Sequence, residues 1–207
     1  MSTRLDHVVL AVADLAAAAD ELETRHGLAS VAGGRHPGWG TENRIVPLGD
    51  TYLELIAVAN EAEAAASPFG RWVAAGRDGG VRPLGWAVRT DELDVVAERL
   101  GLEARAGSRR TGEGGELRWR YAGAEQAMAE ACLPFFIEWA EGTPFPGRAD
   151  GPELRIRTLH LTGDPARLAA WLGPNDLPVV VEPGRPAVVG VMLEGPGGVV
   201  VLSGDGT

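Results

Sequence analysis

The sequence contains a single cysteine, Cys132, so the chain has no internal disulfide bond. A chain without disulfides fits the reducing cytoplasm, which is where we expect this protein. Cys132 stands directly before the apolar run LPFFI, which favours a buried thiol over a nucleophile. No apolar run approaches the length of a membrane helix, and the start, MSTRLDHV, lacks a signal-peptide pattern. We therefore expect no membrane partner.

A surplus of basic residues is also missing. The chain has 19 Lys and Arg against 29 Asp and Glu, a formal net charge of −10. Because nucleic-acid binding draws on clustered cations, this balance argues against a nucleic-acid partner. The chain does have 45% hydrophobic residues over 207 positions, enough for a sizeable core. Some arginines occur in short groups among acids, and we interpret them as solvated surface: Arg105, Arg109, Arg110, Arg118 and Arg120.

One pattern occurs three times, in residues 5–28, 84–102 and 156–173. Each copy reads as an apolar strand, a capping Asp, a helix and a stopping Gly. The spacing of roughly 75 residues indicates a repeat of whole supersecondary units. The predicted caps and stops are Asp14, Asp91 and Asp164, and Gly27, Gly101 and Gly173.

Three short strands follow each copy, so each module reads β-α-β-β-β, and the predicted fold is α+β. We place module 1 at residues 1–60, a connector at 61–80, module 2 at 81–141, a Pro/Gly linker at 142–154 and module 3 at 155–207. Within these, the glycines and proline of residues 33–40 predict an irregular loop. Residues 107–115 predict a long hairpin turn, and the pair Ser67-Pro68 predicts a helix start.

The first and last strands of the modules carry side chains suited to a metal. In our alignment of the copies, His7, Trp86 and His160 match in the first strands, and Glu54 and Glu138 match in the last. A His and a Glu on one concave face are suitable ligands for a divalent metal. The alternative is structural: His7 is a core histidine bonded to a backbone carbonyl, and Glu54 pairs with an arginine.

These features resemble the vicinal oxygen chelate superfamily, in which paired βαβββ modules carry metal ligands on their first and last strands. The segments LDHVVLAVADL and YLELI are similar to pieces of that superfamily. The segments GGRHPGWGTEN, YLELIAV, GWAV and PFFIEW resemble its narrower glyoxalase-like domain family of bacterial proteins. The resemblance covers residues 5 to 171 and implies a curved mixed β-sheet cup, with a third copy of the module at the C-terminus.

The resemblance also implies a site. Its metal ligands fall on His7, Glu54 and Glu138, and its remaining ligand position falls on Trp86, which cannot bind a metal. His160 or His36 would then supply the missing nitrogen. The metal would be Zn, Ni, Mn or Fe, acting as a Lewis acid on vicinal oxygens of a small organic substrate, with Glu138 as the catalytic base. This is the chemistry of a lyase or isomerase of glyoxalase type.

The Gly-rich segment predicts a substrate-binding loop. Its glycines allow close approach of a ligand, Trp39 offers a stacking face, and Arg35 and His36 can meet an anionic group. At Glu42 the family would have a His, so the chain departs from its motif there. The predicted substrate-binding residues are Arg35, His36, Trp39, Thr41, Glu42, Asn43 and Trp86.

Two other functions stay open from the sequence. One is a metal-free binding or sequestering protein, as in the bleomycin-resistance branch, with Trp86, Trp39 and the phenylalanines forming an apolar cleft. The other is a module whose repeats serve mainly dimerisation, which makes a homodimer an expected assembly.

Overall fold

The computed structural model describes residues 3–78, 80–111, 115–148, 150–151 and 153–203. None of the helices in these residues is long and apolar enough to cross a membrane. The helices are α1 (Leu15–His26), α2 (Glu61–Ala66), α3 (Pro68–Gly76), α4 (Leu93–Leu100), α5 (Ala124–Ala129) and α6 (Pro165–Leu172), with a 3₁₀ turn at Pro146–Arg148. The strands are β1 (Arg4–Ala11), β2 (Val31–His36), β3 (Thr41–Pro47), β4 (Tyr52–Val58), β5 (Arg82–Arg89), β6 (Arg105–Thr111), β7 (Glu116–Ala122), β8 (Phe135–Trp139), β9 (Arg155–Gly163), β10 (Val179–Pro183), β11 (Ala187–Gly195) and β12 (Gly198–Ser203).

The first eight strands form one closed barrel, in the order β1-β4-β3-β2-β6-β7-β8-β5. Each of the first two modules contributes four strands, and its first and last strands pair in parallel, β1 with β4 and β5 with β8. The two halves join antiparallel at two seams, β1–β5 and β2–β6. This arrangement confirms the predicted α+β fold with a curved mixed sheet.

Side chains alternate across the barrel wall, and on strands β1 and β4 both faces are buried. On β1, Val8 and Leu10 pack in the main core outside the barrel, whereas His7 and Val9 face the interior. This is the period of two that a strand imposes on its side chains. The site therefore depends on which residues of each strand fall on the inner face.

The third module has the predicted order β-α-β-β-β but a different arrangement of strands. Its sheet has the order β10-β9-β11-β12, so the first strand pairs in parallel with the second strand instead of the last. Strands β11 and β12 pack against β5, and Leu159 and Val191 join the main core. The third module therefore covers the outside of the barrel.

Two of the three predicted helix caps are confirmed. Asp14 and Asp164 each accept hydrogen bonds from the first free N–H groups of α1 and α6. The predicted cap at Asp91 is wrong, because α4 begins two residues later, at Leu93. The Leu93 N–H donates instead to Glu138 Oε1 at 3.3 Å. The start of α4 is thus held by a side chain that is distant in sequence.

The Gly-rich segment predicted as a loop forms a hairpin, β2–β3, with His36 opposite Thr41. Gly34 lies where β2 meets β6, and a Cβ there would be 1.8 Å from the carbonyl oxygen of Arg110. A side chain at this position would separate the strands. The loop prediction is therefore wrong at residues 33–36, where glycines serve close strand contact, whereas residues 37–40 form the turn of the hairpin.

Three further local predictions have different outcomes. Ser67 caps α3, with its side chain accepting from the Gly70 N–H, as predicted. The predicted turn at 107–115 is wrong at residues 107–111, which belong to β6, and residues 112–114 lie outside the described residues. Helix α5, between β7 and β8, was not predicted.

Candidate functional site

The barrel encloses a cavity of about 310 Å³, at the small end of the range for small-molecule sites. Module 1 contributes four polar side chains, which we call the polar cluster: His7, His36, Asn43 and Glu54. Module 2 contributes a mostly apolar wall: Trp119, Tyr121, Phe135, Ile137 and Trp139. The two halves of the barrel thus supply different chemistry.

His7 lies beside an irregularity in β1. The pairing of β1 with β5 shifts register between Leu5 and His7, and such a bulge allows neighbouring side chains to meet. The Nδ1 atom of His7 lies 2.7 Å from Asp6 Oδ1. Because an ionised carboxylate only accepts, Nδ1 donates this hydrogen bond. The other ring nitrogen, Nε2, faces Glu54, whose Oε2 is 3.5 Å away.

Asp6 is fully buried and holds several groups around His7. It accepts a hydrogen bond of 3.0 Å from Trp139 Nε1, which ties the two modules together. Tyr52 stacks on the His7 ring with centroids 4.6 Å apart. Burial, together with the charges of Asp6 and Glu54, raises the pKa of Tyr52, so its phenol is neutral. Asp6 therefore fixes both the orientation and the surroundings of His7.

His36 is a second buried imidazole that faces the same carboxylate. Its Nδ1 lies 3.0 Å from Thr41 Oγ1, and its Nε2 lies 3.7 Å from Glu54 Oε1. The pKa of His36 is lowered to about 4, mainly because burial disfavours the charged ring. The Arg109 charge also lowers this pKa, whereas the Glu54 charge raises it. His36 is consequently a neutral imidazole near pH 7.

Glu54 stands at the centre of the polar cluster, on the inner face of β4. Each of its oxygens faces one imidazole Nε2, at distances beyond those typical of hydrogen bonds. Oε1 also accepts a hydrogen bond from the side-chain amide of Asn43. Two imidazole nitrogens and a carboxylate thus converge, while the other nitrogen of each ring is engaged elsewhere.

Arg109 is buried, with 6% of its surface exposed, and lines the cavity. Alternation along β6 places Arg109 on the inner face and Arg110 on the outer face. Arg109 Nη1 donates to Asn43 Oδ1 at 2.8 Å, and the Gly34 N–H donates to the same oxygen at 2.9 Å. These bonds orient the Asn43 amide with its NH₂ toward Glu54. The interpretation of Arg109 as solvated surface is therefore wrong.

Glu138, predicted as a metal ligand and catalytic base, is not brought together with the polar cluster. Its neighbours on β8, Ile137 and Trp139, line the cavity, so Glu138 alternates to the outer face. There it accepts from Arg120 Nη1 at 3.1 Å and from the Leu93 N–H. Its carboxylate holds a helix start and an arginine.

Trp86, predicted as a cavity wall, also lies on the outer face. The register of β1 and β5 pairs Val8 with Trp86 and His7 with Ala87. Trp86 is fully buried in the main core, and its Nε1 donates to the Cys132 carbonyl at 3.1 Å. The inward residue opposite His7 is Ala87, which offers no group to a metal.

His160, predicted as a possible nitrogen ligand, lies in the C-terminal sheet on β9. It pairs with Val180 and Gly190 of the neighbouring strands. It does not line the cavity. The second imidazole near His7 belongs to His36.

The segment predicted as a substrate-binding loop, which forms the β2–β3 hairpin, divides its side chains between the two faces of the wall. His36, Trp39 and Asn43 line the cavity, and Thr41 supports the His36 ring. Arg35 and Glu42 lie opposite each other on the outer face and pair at 3.3 Å, with 74% and 39% of their side chains exposed. The Glu that departs from the family motif therefore forms a surface ion pair.

Sequence reasoning missed Asp6 and Arg109. Asp6 had a signal, since a carboxylate within an apolar strand needs a buried partner and His7 is adjacent. Arg109 had a weaker signal in the spacing Arg105-x-Gly107-x-Arg109. A Cβ on Gly107 would lie 2.5 Å from Trp119 Nε1, so this glycine makes room for the indole on the inner face.

The donor set of His7, His36 and Glu54 fits a divalent transition metal in its chemistry. Neutral imidazole and carboxylate are common ligands, and ligating histidines usually have their other nitrogen engaged, as Asp6 and Thr41 provide here. In the described residues, however, no three His, Cys, Asp or Glu side chains form a ready-made metal site. The Asn43 amide contacts both Glu54 and His36. The residues thus suit a metal, and Asn43 competes with it for Glu54.

The fold is similar to several solved structures. A crystal structure of a hypothetical protein from Staphylococcus aureus has a TM-score of 0.73 and 17% identity, covering 93% of this chain and 91% of that chain. Methylmalonyl-CoA epimerase from Mycobacterium tuberculosis has a TM-score of 0.45 and 23% identity, covering 65% and 85%. A Streptomyces coelicolor epimerase variant in complex with 2-nitronate-propionyl-CoA has a TM-score of 0.49 and 21% identity, covering 70% and 99%. The first similarity shows the fold alone, and the epimerases carry no argument about activity.

Comparison with curated protein sequences finds no significant match. In contrast, residues 5–175 match the family described as the glyoxalase-like domain. The matched region includes both barrel modules and all four residues of the polar cluster. The chain therefore belongs to the glyoxalase-like domain family, as its sequence motifs predict.

Proposed function

We propose that this protein is an enzyme that binds a small organic molecule in the barrel cavity and catalyses a lyase- or isomerase-type proton transfer beside an oxygen-bearing carbon. A divalent metal would be held by His7, His36 and Glu54. The observation that carries the proposal is the convergence of two imidazole Nε2 atoms on the two oxygens of Glu54, at 3.5 and 3.7 Å. Of the ligands that the resemblance implies, this set keeps His7 and Glu54, takes His36 instead of His160 for the remaining nitrogen, and leaves out Glu138.

Each residue of the site has a distinct part in this chemistry. The metal, when bound, supplies Lewis-acid polarisation of the substrate oxygens. Asp6 and Thr41 hold the two imidazoles in place. Glu54 is the carboxylate on the inner face that is placed to accept a proton from the bound molecule. The aromatic wall of module 2 excludes water, which strengthens the electrostatic interactions inside the cavity.

Metal analysis of protein purified without chelators tests the ligand set. We expect about one divalent metal per chain, as one closed site requires, and its loss in His7→Ala and Glu54→Gln. The chain offers matched controls in His160→Ala and Glu138→Gln, which should retain the metal. Retention in His7→Ala, or loss in Glu138→Gln, would contradict the proposal.

A second candidate function is metal-free binding of a small molecule. The observation that favours it is the Asn43 amide, which already donates to Glu54 and is held there by Arg109. On this alternative, no preparation would contain metal, yet aromatic ligands would still quench the fluorescence of the cavity tryptophans. Metal found at one equivalent would exclude it.

A further inference from the structure

Arg109 is a buried cation whose hydrogen bond to Asn43 goes to a neutral amide. It lines the cavity next to aromatic side chains, with 6% of its surface exposed. No carboxylate of a described residue lies within the 4.0 Å of an ion pair with it. The charge of Arg109 lies close enough to His36 to lower the pKa of that imidazole. A buried charge is costly unless an opposite charge or strong hydrogen bonds compensate for it.

The hydrogen bonds of Asn43 separate this cation from Glu54. The Asn43 Oδ1 accepts from Arg109, and its amide NH₂ donates to Glu54 on the other side. The Asn43 amide therefore stands between the Glu54 carboxylate and an anionic group bound on the Arg109 side. Trp119 lines the same cavity as Arg109 and lies against the backbone of Gly107. Its indole offers a flat apolar surface for the rest of a ligand.

The other cavity-lining arginine is already compensated. Arg105 donates to Glu103 and Glu125, each at 3.0 Å, and half of its side chain is exposed. One uncompensated guanidinium in an apolar cavity suits one negative charge, because a dianion would need more cations. A planar guanidinium matches a carboxylate with two parallel hydrogen bonds.

We infer that the ligand of this site is a small aromatic or apolar carboxylate, with its carboxylate bound by Arg109 and its apolar body packed against Trp119. This inference rests on the proposed function only in using the same cavity as the binding site. Arg109 then determines specificity by selecting a monoanion over a neutral molecule of the same shape.

Binding of matched pairs of probes to protein freed of metal by chelation tests this inference. The probes are benzoate, phenylacetate and indole-3-acetate, each compared with its neutral amide, with the fluorescence of the cavity tryptophans and calorimetry as readouts. We expect the native protein to bind at least one carboxylate roughly tenfold or more tightly than its amide, since charge-assisted hydrogen bonds are the strong ones. Arg109→Met should remove this preference while the amide still binds, which shows that the cavity is intact.

The control is Arg110→Met, on the outer face of the same strand, which should keep the preference. Should Arg109→Met fail to fold, Arg109→Lys keeps the charge without the planar fork and should show a smaller preference. Equal affinity of acid and amide in the native protein would overturn the inference and leave the proposed metal chemistry standing. A preference that persists in Arg109→Met would also overturn it. Absence of metal from protein purified without chelators, with the preference intact, would overturn the proposed function alone.

Discussion

Glu138 has a structural role because of the face on which it lies. Its carboxylate joins the first N–H of α4 to Arg120, in place of a local cap. We expect Glu138→Gln to lower the free energy of unfolding by about 1 kcal/mol, the usual size of a cap contribution, with ligand binding unchanged. Urea denaturation followed by circular dichroism measures this. The control is Glu42→Gln, which breaks an exposed ion pair and should change stability by less than about 0.5 kcal/mol. Weakened ligand binding without a loss of stability would contradict this role.

His36 predicts a dependence of stability on pH. Its folded-state pKa of about 4 lies below the ordinary value of 6.5, so the unfolded chain takes up the proton first as pH falls. The contribution is fully present above pH 6.5 and is lost between 6.5 and 4. We expect chelated protein to lose about 2 kcal/mol from this residue between pH 7.5 and pH 5.

Measuring the free energy of unfolding of the native protein and of His36→Asn at both pH values isolates the contribution of His36. The variant should lack that part of the pH dependence, whereas His160→Asn should keep it. An equal pH dependence in the native protein and His36→Asn would show that the buried imidazole is not the cause.

The site predictions that failed at single residues, for Trp86 and Glu138, failed for one physical reason. Alignment of the copies matched Trp86 with His7 and so implied that both face the cavity, whereas Trp86 lies on the outer face and its neighbour Ala87 faces inward. Because side chains alternate, an offset of one residue moves a group from the cavity to the outer core. Glu138 was misplaced in the same way. His7 and Glu54 were predicted within the cavity because their strand patterns were read in the correct phase, and Asp6 was missed because a bulge breaks that phase.

Two seams close the barrel, β1–β5 and β2–β6. The paired region of β2 with β6 is the shorter of the two. It depends on Gly34, which brings the β2 backbone against the Arg110 carbonyl. We expect Gly34→Ala to destabilise the protein by about 2–3 kcal/mol, as for overpacking of a closely packed site. Thermal and urea unfolding measure the loss. Gly197→Ala, where a Cβ would meet nothing within 4 Å, is the control. Equal stability of both variants would contradict this account.

Elements with local signals were predictable, and those set by distant contacts were not. The stops of α1 and α4 at Gly27 and Gly101 follow from their left-handed φ values of 67° and 64°. The hairpin β2–β3 depends on partners far along the chain, so its glycines read as turn residues in the sequence. Likewise α4 begins at Leu93 because Glu138, 45 residues away in sequence, holds its first N–H.

The barrel and the C-terminal sheet share one hydrophobic core, although their sheets are separate. Leu193 of β11 is fully buried in the same cluster as Trp86 and Leu53 of the barrel. We expect Leu193→Ala to cost about 2–5 kcal/mol and to lower a single unfolding transition seen by both tryptophan fluorescence and circular dichroism. Val199→Ala, at a half-exposed position, is the control and should have little effect. Two separate transitions would show that the sheet folds independently.

The division of the chain into three modules and a linker, and the predicted homodimer, stay predictions. The first would be tested by expressing residues 1–154 alone, which the shared core predicts to be poorly soluble. The second would be tested by sedimentation at several protein concentrations.

The unequal contribution of the two barrel halves has a consequence for how ligand preference can change. The two imidazoles and the carboxylate of the proposed metal site lie on strands of the amino-terminal half, whereas the shape of the cavity comes largely from side chains of the second half, such as Trp119, Tyr121 and Ile137. Substitutions at those three positions would change which compounds fit and leave His7, His36 and Glu54 in place. A mutant library restricted to these positions is therefore a direct route to altered selectivity in this barrel.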